Sequence, residues 1–270
     1  MKIHQILIND TNKLPEEFPE YHSKCVQQIR KLYPNQEYHL YSGEELEEII
    51  HNNFDGEVFT AYKKLKPYAY KADLARYCLL YLYGGLYIDL NVYFINTIPN
   101  LKKLNFFAFR DIVKTSKRSW SVANSIIFAR KNSKIMKKCI DIVVENCKRQ
   151  YYGISILDVS GCIVLGKSIM SCNENENLIS TEGELSRIHN KVENNYDYSI
   201  AYLMDKDDKI IAFRKPLDTN LINHQDGQKV NGNISYLGFT GTNNYIEMWE
   251  QKNVYDKSVK FPNRSILMYQ

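Results

Sequence analysis

Apolar positions along this 270-residue chain alternate between short strand-like runs and helical stripes, the pattern of a mixed α/β domain. Residues 2–8 are isoleucine-rich and predict a buried first strand ending at Asn9-Asp10. Residues 19–32 predict a helix that stops before Pro34, and residues 37–41 a second strand. That order makes a βαβ start and therefore a parallel pair. Ser42-Gly43-Glu44-Glu45 is a capping box opening a helix over 44–52, and a further helix over 56–66 is closed by Pro67.

The densest pattern is AYKADLARYCLLYLYGGLYIDLN, residues 69–91. Residues 69–83 contain no Gly or Pro, and Leu74, Cys78, Tyr81 and Leu82 recur at three- and four-residue spacing, which predicts a helix. Gly84-Gly85 stops it, because glycine accepts the left-handed conformation of a helix C-terminus. Leu86-Tyr87-Ile88 suits a short buried strand, and Asp89-Leu90-Asn91 closes that strand with two oxygen-bearing side chains. A tight Gly-Gly turn sets helix and strand antiparallel as neighbours. Four strand residues climb roughly 13 Å at about 3.3 Å each, and the helix needs about nine residues at about 1.5 Å each for the same climb. Counting back from Gly84 by about nine residues reaches Ala75, so Asp89 is expected level with Asp73 and Arg76, which share a helix face. Alone, an Asp–Arg helix pair is commonly a solvated ion pair. Two acids, an amide and a guanidinium at the carboxyl end of one strand are a candidate site.

Downstream, residues 92–95 continue an apolar run, and 106–109 and 125–129 predict core strands. The intervening loop, 110–122, carries Lys114, Lys117, Arg118 and Trp120; polar loops of this length in compact domains are more often functional than idle. An amphipathic helix is predicted over 131–149, and Asp158-Val159-Ser160-Gly161 breaks the pattern before an apolar helix over 162–170. Residues 172–195, rich in Asn and Glu, predict a surface excursion. A hairpin is predicted from 199–204 and 209–213 around Asp205-Lys206-Asp207-Asp208, a turn lacking the Gly and distal Glu of a calcium loop. Tyr245, Trp249 and Tyr255 are spaced along a final helix and extension as packing anchors.

Length is enough for one sizeable core with a small appendage, and 44% hydrophobic with 24% charged residues is ordinary for a soluble globular chain. The six cysteines form no C-x-x-C pair and read as reduced thiols of a cytosolic protein. The N-terminus lacks the pattern of a signal peptide, and no apolar run is long enough to span a membrane. Charge changes the picture locally: residues 101–150 hold 13 Lys and Arg against 3 Asp and Glu, within a chain of net charge +4. Such a tract suits an anionic membrane surface or an anionic acceptor, and equally the solvated face of one helix. Without interleaved aromatics it does not suit nucleic acid.

Lys71-Ala72-Asp73-Leu74-Ala75-Arg76-Tyr77, followed by Leu80-Tyr81 and by the run from Tyr83 to Asn91, resembles the core signature of glycosyltransferase family 32, the sugar transferases with a DXD motif. Ile3-His4-Gln5-Ile6 and Asn124-Ser125-Ile126-Ile127 fit the same pattern, which the clostridial glucosylating toxins share distantly. The resemblance is strong over residues 1–170 and loose beyond. It departs at Asn91, where the family usually has Asp. It implies one domain over 1–270 with a GT-A-like, Rossmann-type open mixed sheet flanked by helices: a nucleotide-sugar-binding core at 1–170 and an acceptor-side C-terminal extension at 171–270. It further implies a nucleotide-sugar donor, UDP-linked before GDP-linked, and an oligosaccharide or lipid-linked glycan acceptor. The setting it implies is bacterial capsule or lipopolysaccharide synthesis in the cytoplasm, at the inner face of the membrane, with anomeric configuration retained.

The resemblance puts His4, Gln5 and Ile6 near the nucleotide, Asp73 and Arg76 on sugar hydroxyls, and Gly85 and Asn124 among the substrate contacts. Tyr41, at the carboxyl end of the second strand, either stacks on the base or belongs to the core. Breaking the anomeric bond places charge on a diphosphate, which calls for a cation there. Hard oxygen ligands suit Mn²⁺ or Mg²⁺, so Asp89 and Asn91 are expected ligands, with weaker binding because Asn91 brings no charge, and the resemblance implies the late His224 as a further one. A metal-independent or phosphate-group transferase stays open, as does a non-catalytic nucleotide- or glycan-binding module.

Overall fold

The computed structural model describes residues 1–112, 119–172, 179–192, 195–204, 209–215 and 243–262. Strands β1 (Lys2–Leu7) and β2 (Glu37–Ser42) lie parallel, in register from Lys2↔Glu37 to Leu7↔Ser42, joined through helix α1 (Glu20–Leu32). Helix α2 (Gly43–Asn53) opens on a complete capping box: the Glu45 amide donates to Ser42 Oγ at 3.1 Å, and the Ser42 amide donates to Glu45 Oε2 at 2.9 Å. Helix α3 (Gly56–Lys64) ends short of Pro67, and α4 (Tyr68–Tyr83) begins directly after it.

α4 is not the half-exposed helix that its apolar stripe suggests. Tyr70, Leu74, Ala75, Tyr77, Cys78, Leu79 and Leu80 are all buried, so the middle of the helix is enclosed on every face. It packs between the sheet and α5 (Lys134–Arg149), where each fully buried leucine contributes about 1.5–3 kcal/mol. Gly84 ends α4 at φ 62°, and Gly85 follows at φ 110°. Both conformations favour glycine, and space forbids anything larger: a Cβ would lie 2.5 Å from Lys131 N at Gly84 and 2.1 Å from Lys2 O at Gly85. β3 (Gly85–Ile88) leaves this turn parallel to β1 and antiparallel to β6 (Val122–Ala129).

His4 secures the same turn from β1. A carbonyl can only accept, so Nε2 donates to Gly84 O at 2.8 Å and Nδ1 accepts from the Tyr41 hydroxyl at 3.1 Å. His4 and Tyr41 are both buried.

After β3 come β4 (Tyr93–Phe94) and β5 (Phe106–Arg110); beyond residue 170 come β7 (Ile179–Val192), β8 (Asn195–Met204) and β9 (Lys209–Lys215). Across the sheet the order is β2-β1-β3-β6-β5-β7-β8-β9-β4. β3 and β4 are therefore six places apart, about 29 Å in a flat sheet at about 4.8 Å per strand. Only Asp89 to Val92 join them, and the five steps from Ile88 to Tyr93 reach at most about 18 Å. The sheet must curl until its β9–β4 edge returns to the carboxyl end of β3. Across the inside of that curl, Ser125 Oγ on β6 meets the Tyr202 hydroxyl on β8 at 2.6 Å.

Two expectations change. Residues 172–195 were expected as a polar surface excursion, yet β7 is a 14-residue strand, parallel to β5 and antiparallel to β8. Its strand state comes from pairing with the distant β5 and the adjacent β8, which leaves no alternation to read locally. The chain beyond residue 170 also does not form a mere appendage, because β7, β8 and β9 complete the main sheet. Helices α6 (Cys162–Ser171) and α7 (Tyr245–Glu250) flank it. The final segment is tied down as expected of its aromatics. Trp249 Nε1 donates to Tyr152 O at 2.8 Å, Tyr255 bridges to Leu65, and Lys64 Nζ donates to Asp256 O and Val259 O at 2.8 Å each. All six cysteines are free thiols. Among the described residues, no helix is long and apolar enough to cross a membrane. Lys114, Lys117, Arg118, the Asp205–Asp208 turn and His224 lie outside the described residues.

Burial lowers the His4 imidazole from 6.5 to about 4, against the Gly84 carbonyl, which favours the charged form. As pH falls, the unfolded chain takes up this proton first. The contribution of a neutral His4 is therefore whole above pH 6.5 and lost progressively towards about 4, a total of about 3 kcal/mol. Thermal unfolding followed from pH about 7 down to about 4 should show the midpoint falling through this window. His4→Phe should flatten that part of the profile, and a wild-type midpoint unchanged across it would contradict the burial.

Candidate functional site

The rises of α4 and β3 put Asp73, Arg76 and Asp89 at one level, and the structure joins all three through the Arg76 guanidinium. Its NH2 meets Asp73 Oδ1 at 3.0 Å and its NH1 meets Asp89 Oδ1 at 3.1 Å. NH1 also donates to the Asn124 carbonyl, Nε donates to Ala72 O at 3.3 Å, and the guanidinium lies 4.5 Å from the Tyr87 ring centre. Arg76 is 5% exposed, so most of its donors are committed within the protein. It acts as a clamp between carboxylates more than as a group reaching a ligand.

Asp73 is held from three sides. Besides Arg76, Asn124 Nδ2 donates to Oδ1 at 2.8 Å and Ser160 Oγ donates to Oδ2 at 2.8 Å. Burial pushes its carboxyl up, while Arg76 and the Ser160 and Asn124 hydrogen bonds pull it down. Arg76 is shifted up: burial opposes its charge, but Tyr87, Asp89 and Asp73 more than compensate. Asp89 is less enclosed, with 22% of its side chain exposed. Its Oδ1 also accepts from the Tyr87 hydroxyl at 2.8 Å. Its backbone is pinned as well, the amide donating to Ser125 O at 2.7 Å and the carbonyl accepting from Gln5 Nε2 at 3.3 Å.

Tested against a divalent ion, the residues offer a partial shell of hard oxygens. Asn91 Oδ1 is buried with no hydrogen-bond partner among the described residues, an arrangement that costs about 1–3 kcal/mol unless something donates to it or binds it. Asp89 directs only Oδ1 to Arg76 and Tyr87, which leaves its second oxygen for a cation. No group of three or more His, Cys, Asp or Glu side chains is placed to hold a metal among the described residues. Asp89 and Asn91 therefore fit Mn²⁺ or Mg²⁺ only as two protein ligands, with further oxygens from water or substrate.

Of the expected site residues, the structure brings together Asp73, Arg76, Asp89 and Asn124, with Asn91 two residues beyond Asp89. His4, Ile6, Tyr41 and Gly85 stand elsewhere. His4 and Tyr41 bond each other behind the glycine turn, Ile6 belongs to the core, and Gly85 packs on the Lys2 carbonyl at the opposite end of β3. The reading of Tyr41 as a base-stacking residue gives way to the core reading, because its ring is 2% exposed. Gln5 reaches the site through the Asp89 backbone, and its Oε1 accepts from the Tyr38 hydroxyl at 2.7 Å.

Sequence reasoning assigned no role to Tyr87, Ser160, Cys162 or Tyr202, all of which support the cluster. Cys162 Sγ donates to Asn124 Oδ1 at 3.4 Å, and Tyr77 donates to the Ser160 carbonyl at 2.9 Å. Only the Ser160-Gly161 break ahead of α6 gave a local signal. A hollow of about 550 Å³ lies elsewhere, lined by Asn12, Lys13, Glu44, Glu48 and His51 among others. It holds none of the convergent groups, and Glu47 on its wall is paired with Lys63 at 2.7 Å.

A family described as capsular polysaccharide synthesis protein matches residues 15–220. An uncharacterized glycosyltransferase of Acanthamoeba polyphaga mimivirus is 33% identical over 105 residues, 39% of this chain and 40% of that protein. Inositol phosphoceramide mannosyltransferase 3 of Schizosaccharomyces pombe is 34% identical over 82 residues, 30% of this chain and 22% of that protein. The chain thus spans less than half the length of these curated relatives. Both carry glycosyltransferase names, in agreement with the resemblance read from residues 69–91. Among solved structures, PaToxG glycosyltransferase aligns with a TM-score of 0.44 at 18% identity, covering 62% of this chain and 67% of that one. The ligand-free glycosyltransferase domain from the YGT toxin aligns with a TM-score of 0.38 at 10% identity, covering 65% and 69%.

Arg76→Ala leaves Asp73, 8% exposed, without its ion partner, and removing one member of a buried pair costs about 3–5 kcal/mol. Asn124→Ala removes one donor to the same carboxylate and should cost less, about 1–3 kcal/mol. Urea denaturation measures both. A loss below about 1 kcal/mol in Arg76→Ala, the range of a surface pair, would contradict the clamp.

Proposed function

We propose that this chain, which belongs to the capsular polysaccharide synthesis protein family, is a glycosyltransferase that moves a sugar from a nucleotide-sugar donor onto a glycan acceptor. The observation that carries the reading is the Arg76 clamp. One guanidinium fixes the Asp73 and Asp89 carboxylates at the mouth of β3, beside the orphaned Asn91 oxygen. The glycosyltransferase names of both relatives support it, and the family description favours a role in surface polysaccharide synthesis. One relative is named for a phosphoceramide acceptor, which favours a lipid-linked glycan among the acceptors. The donor is a UDP-sugar first and a GDP-sugar second. A protein acting on a lipid-linked acceptor works at the membrane surface, and the basic tract at 101–150 suits its anionic headgroups.

In this reading Asp73 accepts from a sugar hydroxyl through Oδ2, the oxygen that otherwise takes only Ser160 among the described residues. Arg76, Asn124 and Tyr87 hold the two carboxylates in place. Asp89 and Asn91 are the groups that hold a divalent ion, and when bound such an ion supplies positive charge against the diphosphate. The acceptor oxygen bonds to the anomeric carbon as the bond from that carbon to the β-phosphate oxygen breaks. The electron pair stays on the phosphate oxygen, and the acceptor proton passes to it. The family resemblance implies that the anomeric configuration is retained, which a direct displacement does when attack and departure share one face.

Turnover of UDP- and GDP-sugars titrated with Mn²⁺ tests the reading. Asp89→Ala should lower kcat by about 10²–10³-fold, and Asn91→Asp should reduce the Mn²⁺ needed for half-maximal rate. Full activity in Asp89→Ala sinks the site. A neutral Asn91 makes a metal-independent transferase the second reading, which unchanged turnover in EDTA, with no gain from Asn91→Asp, would favour.

A further inference from the structure

The cluster as described carries a charge problem. Two carboxylates against one guanidinium leave one negative charge in excess, and Arg76 is enclosed between them. A diphosphate brought to this mouth adds more negative charge, which rises further as the leaving group departs. Asn91 contributes none of its own. A divalent ion answers part of this need, but no accessible cation of the chain has yet been placed at the mouth.

The curl of the sheet supplies one. β9 pairs with β4 so that Phe213 stands opposite Tyr93, two residues past Asn91, and Arg214 is the next residue. β9 also pairs with β8, where Tyr202 lies opposite Ala212 and reaches across to Ser125, the residue whose carbonyl holds the Asp89 amide. Arg214 is exposed, unlike Arg76. Burial still works against its charge, while Tyr202, Asp89, Cys162 and Tyr245 raise its pKa. Solvent access together with surrounding protein is the condition of a side chain on the wall of a cleft. The four groups come from β8, the end of β3, the start of α6 and α7, and one of them, Asp89, is a carboxylate of the cluster. Cys162 ties this wall to Asn124, and Asn124 ties it to Asp73.

We propose that Arg214 is the cation that receives the diphosphate of the donor, its guanidinium fork contacting phosphate oxygens of the leaving group at the mouth between β3 and β9. The inference rests on the glycosyltransferase reading given above. It divides the labour between two arginines: Arg76 positions carboxylates from inside, and Arg214 meets the departing charge from the solvent side. A guanidinium suits the task, because it stays charged and presents paired donors to phosphate.

Calorimetry on the full chain with UDP, GDP, UMP and GMP, together with turnover of the matching sugar nucleotides, tests this in wild type, Arg214→Ala and Arg214→Lys. Arg214→Ala should weaken nucleoside diphosphate binding by about tenfold or more, shrink the preference for diphosphate over monophosphate, and lower kcat by about 10²-fold. Arg214→Lys should recover part of both, since the charge returns without the fork. The thermal midpoint of Arg214→Ala should match wild type, as expected for an exposed residue. Unchanged diphosphate affinity and kcat in Arg214→Ala overturn this inference alone. So does a change confined to KM for the acceptor, which assigns Arg214 to the acceptor. A wild-type chain that binds neither UDP nor GDP overturns the glycosyltransferase reading and this inference with it.

Discussion

The link from Asp89 to Val92 is too short for a flat sheet. β3 and β4 stand six places apart in strand order, and the residues joining them cover little more than half of that separation. The resulting curl makes a mouth at the carboxyl end of β3, and the link itself carries Asp89 and Asn91 into it. Ser125 and Tyr202 meet across the inside, and β9 returns Arg214 to the same place. The chemistry thus sits where the sheet has least freedom, since lengthening the link would release both the curl and the cluster.

Within that mouth the Arg76 clamp decides geometry more than stability. Taking two carboxylates and a guanidinium out of water costs several kcal/mol per ion, about what their attraction returns, so the net gain is small. What the clamp provides is position. Asp73 cannot move without losing Arg76, Asn124 and Ser160, and Asp89 cannot move without losing Arg76, Tyr87 and its backbone bonds. Asn91 is the relaxed member, its amide oxygen buried without a donor among the described residues. A group left unsatisfied beside a fixed carboxylate is what a cation-binding step would use.

Much of the cluster was legible because it is local. Asp73, Arg76 and Asp89 belong to one helix–turn–strand unit whose rises per residue are constants, so the Gly84-Gly85 stop sets their relative height. His4, which the resemblance set near the nucleotide, stands away from the cluster, and Tyr41 takes the core reading. Both side chains lie behind the glycine turn, where they bond each other and His4 bonds Gly84. β7 was missed because a polar strand takes its conformation from β5 and β8, and neither pairing leaves an alternating pattern in its own sequence.

The sequence by itself determined the parallel βαβ start, the capping box, the boundaries of α4 to within a residue, and the level at which two acids and an arginine meet. Propensity, glycine conformation and helical rise act over a few residues and need no partner. Only the tertiary structure decided that the middle of α4 is buried all round, that the segments beyond residue 170 complete the main sheet, and that β9 runs beside β4 just past the link carrying Asp89. These depend on which distant strands pair. Nothing in residues 209–215 says that their neighbour is Tyr93–Phe94, because strand pairing is chosen by the closure of the whole sheet.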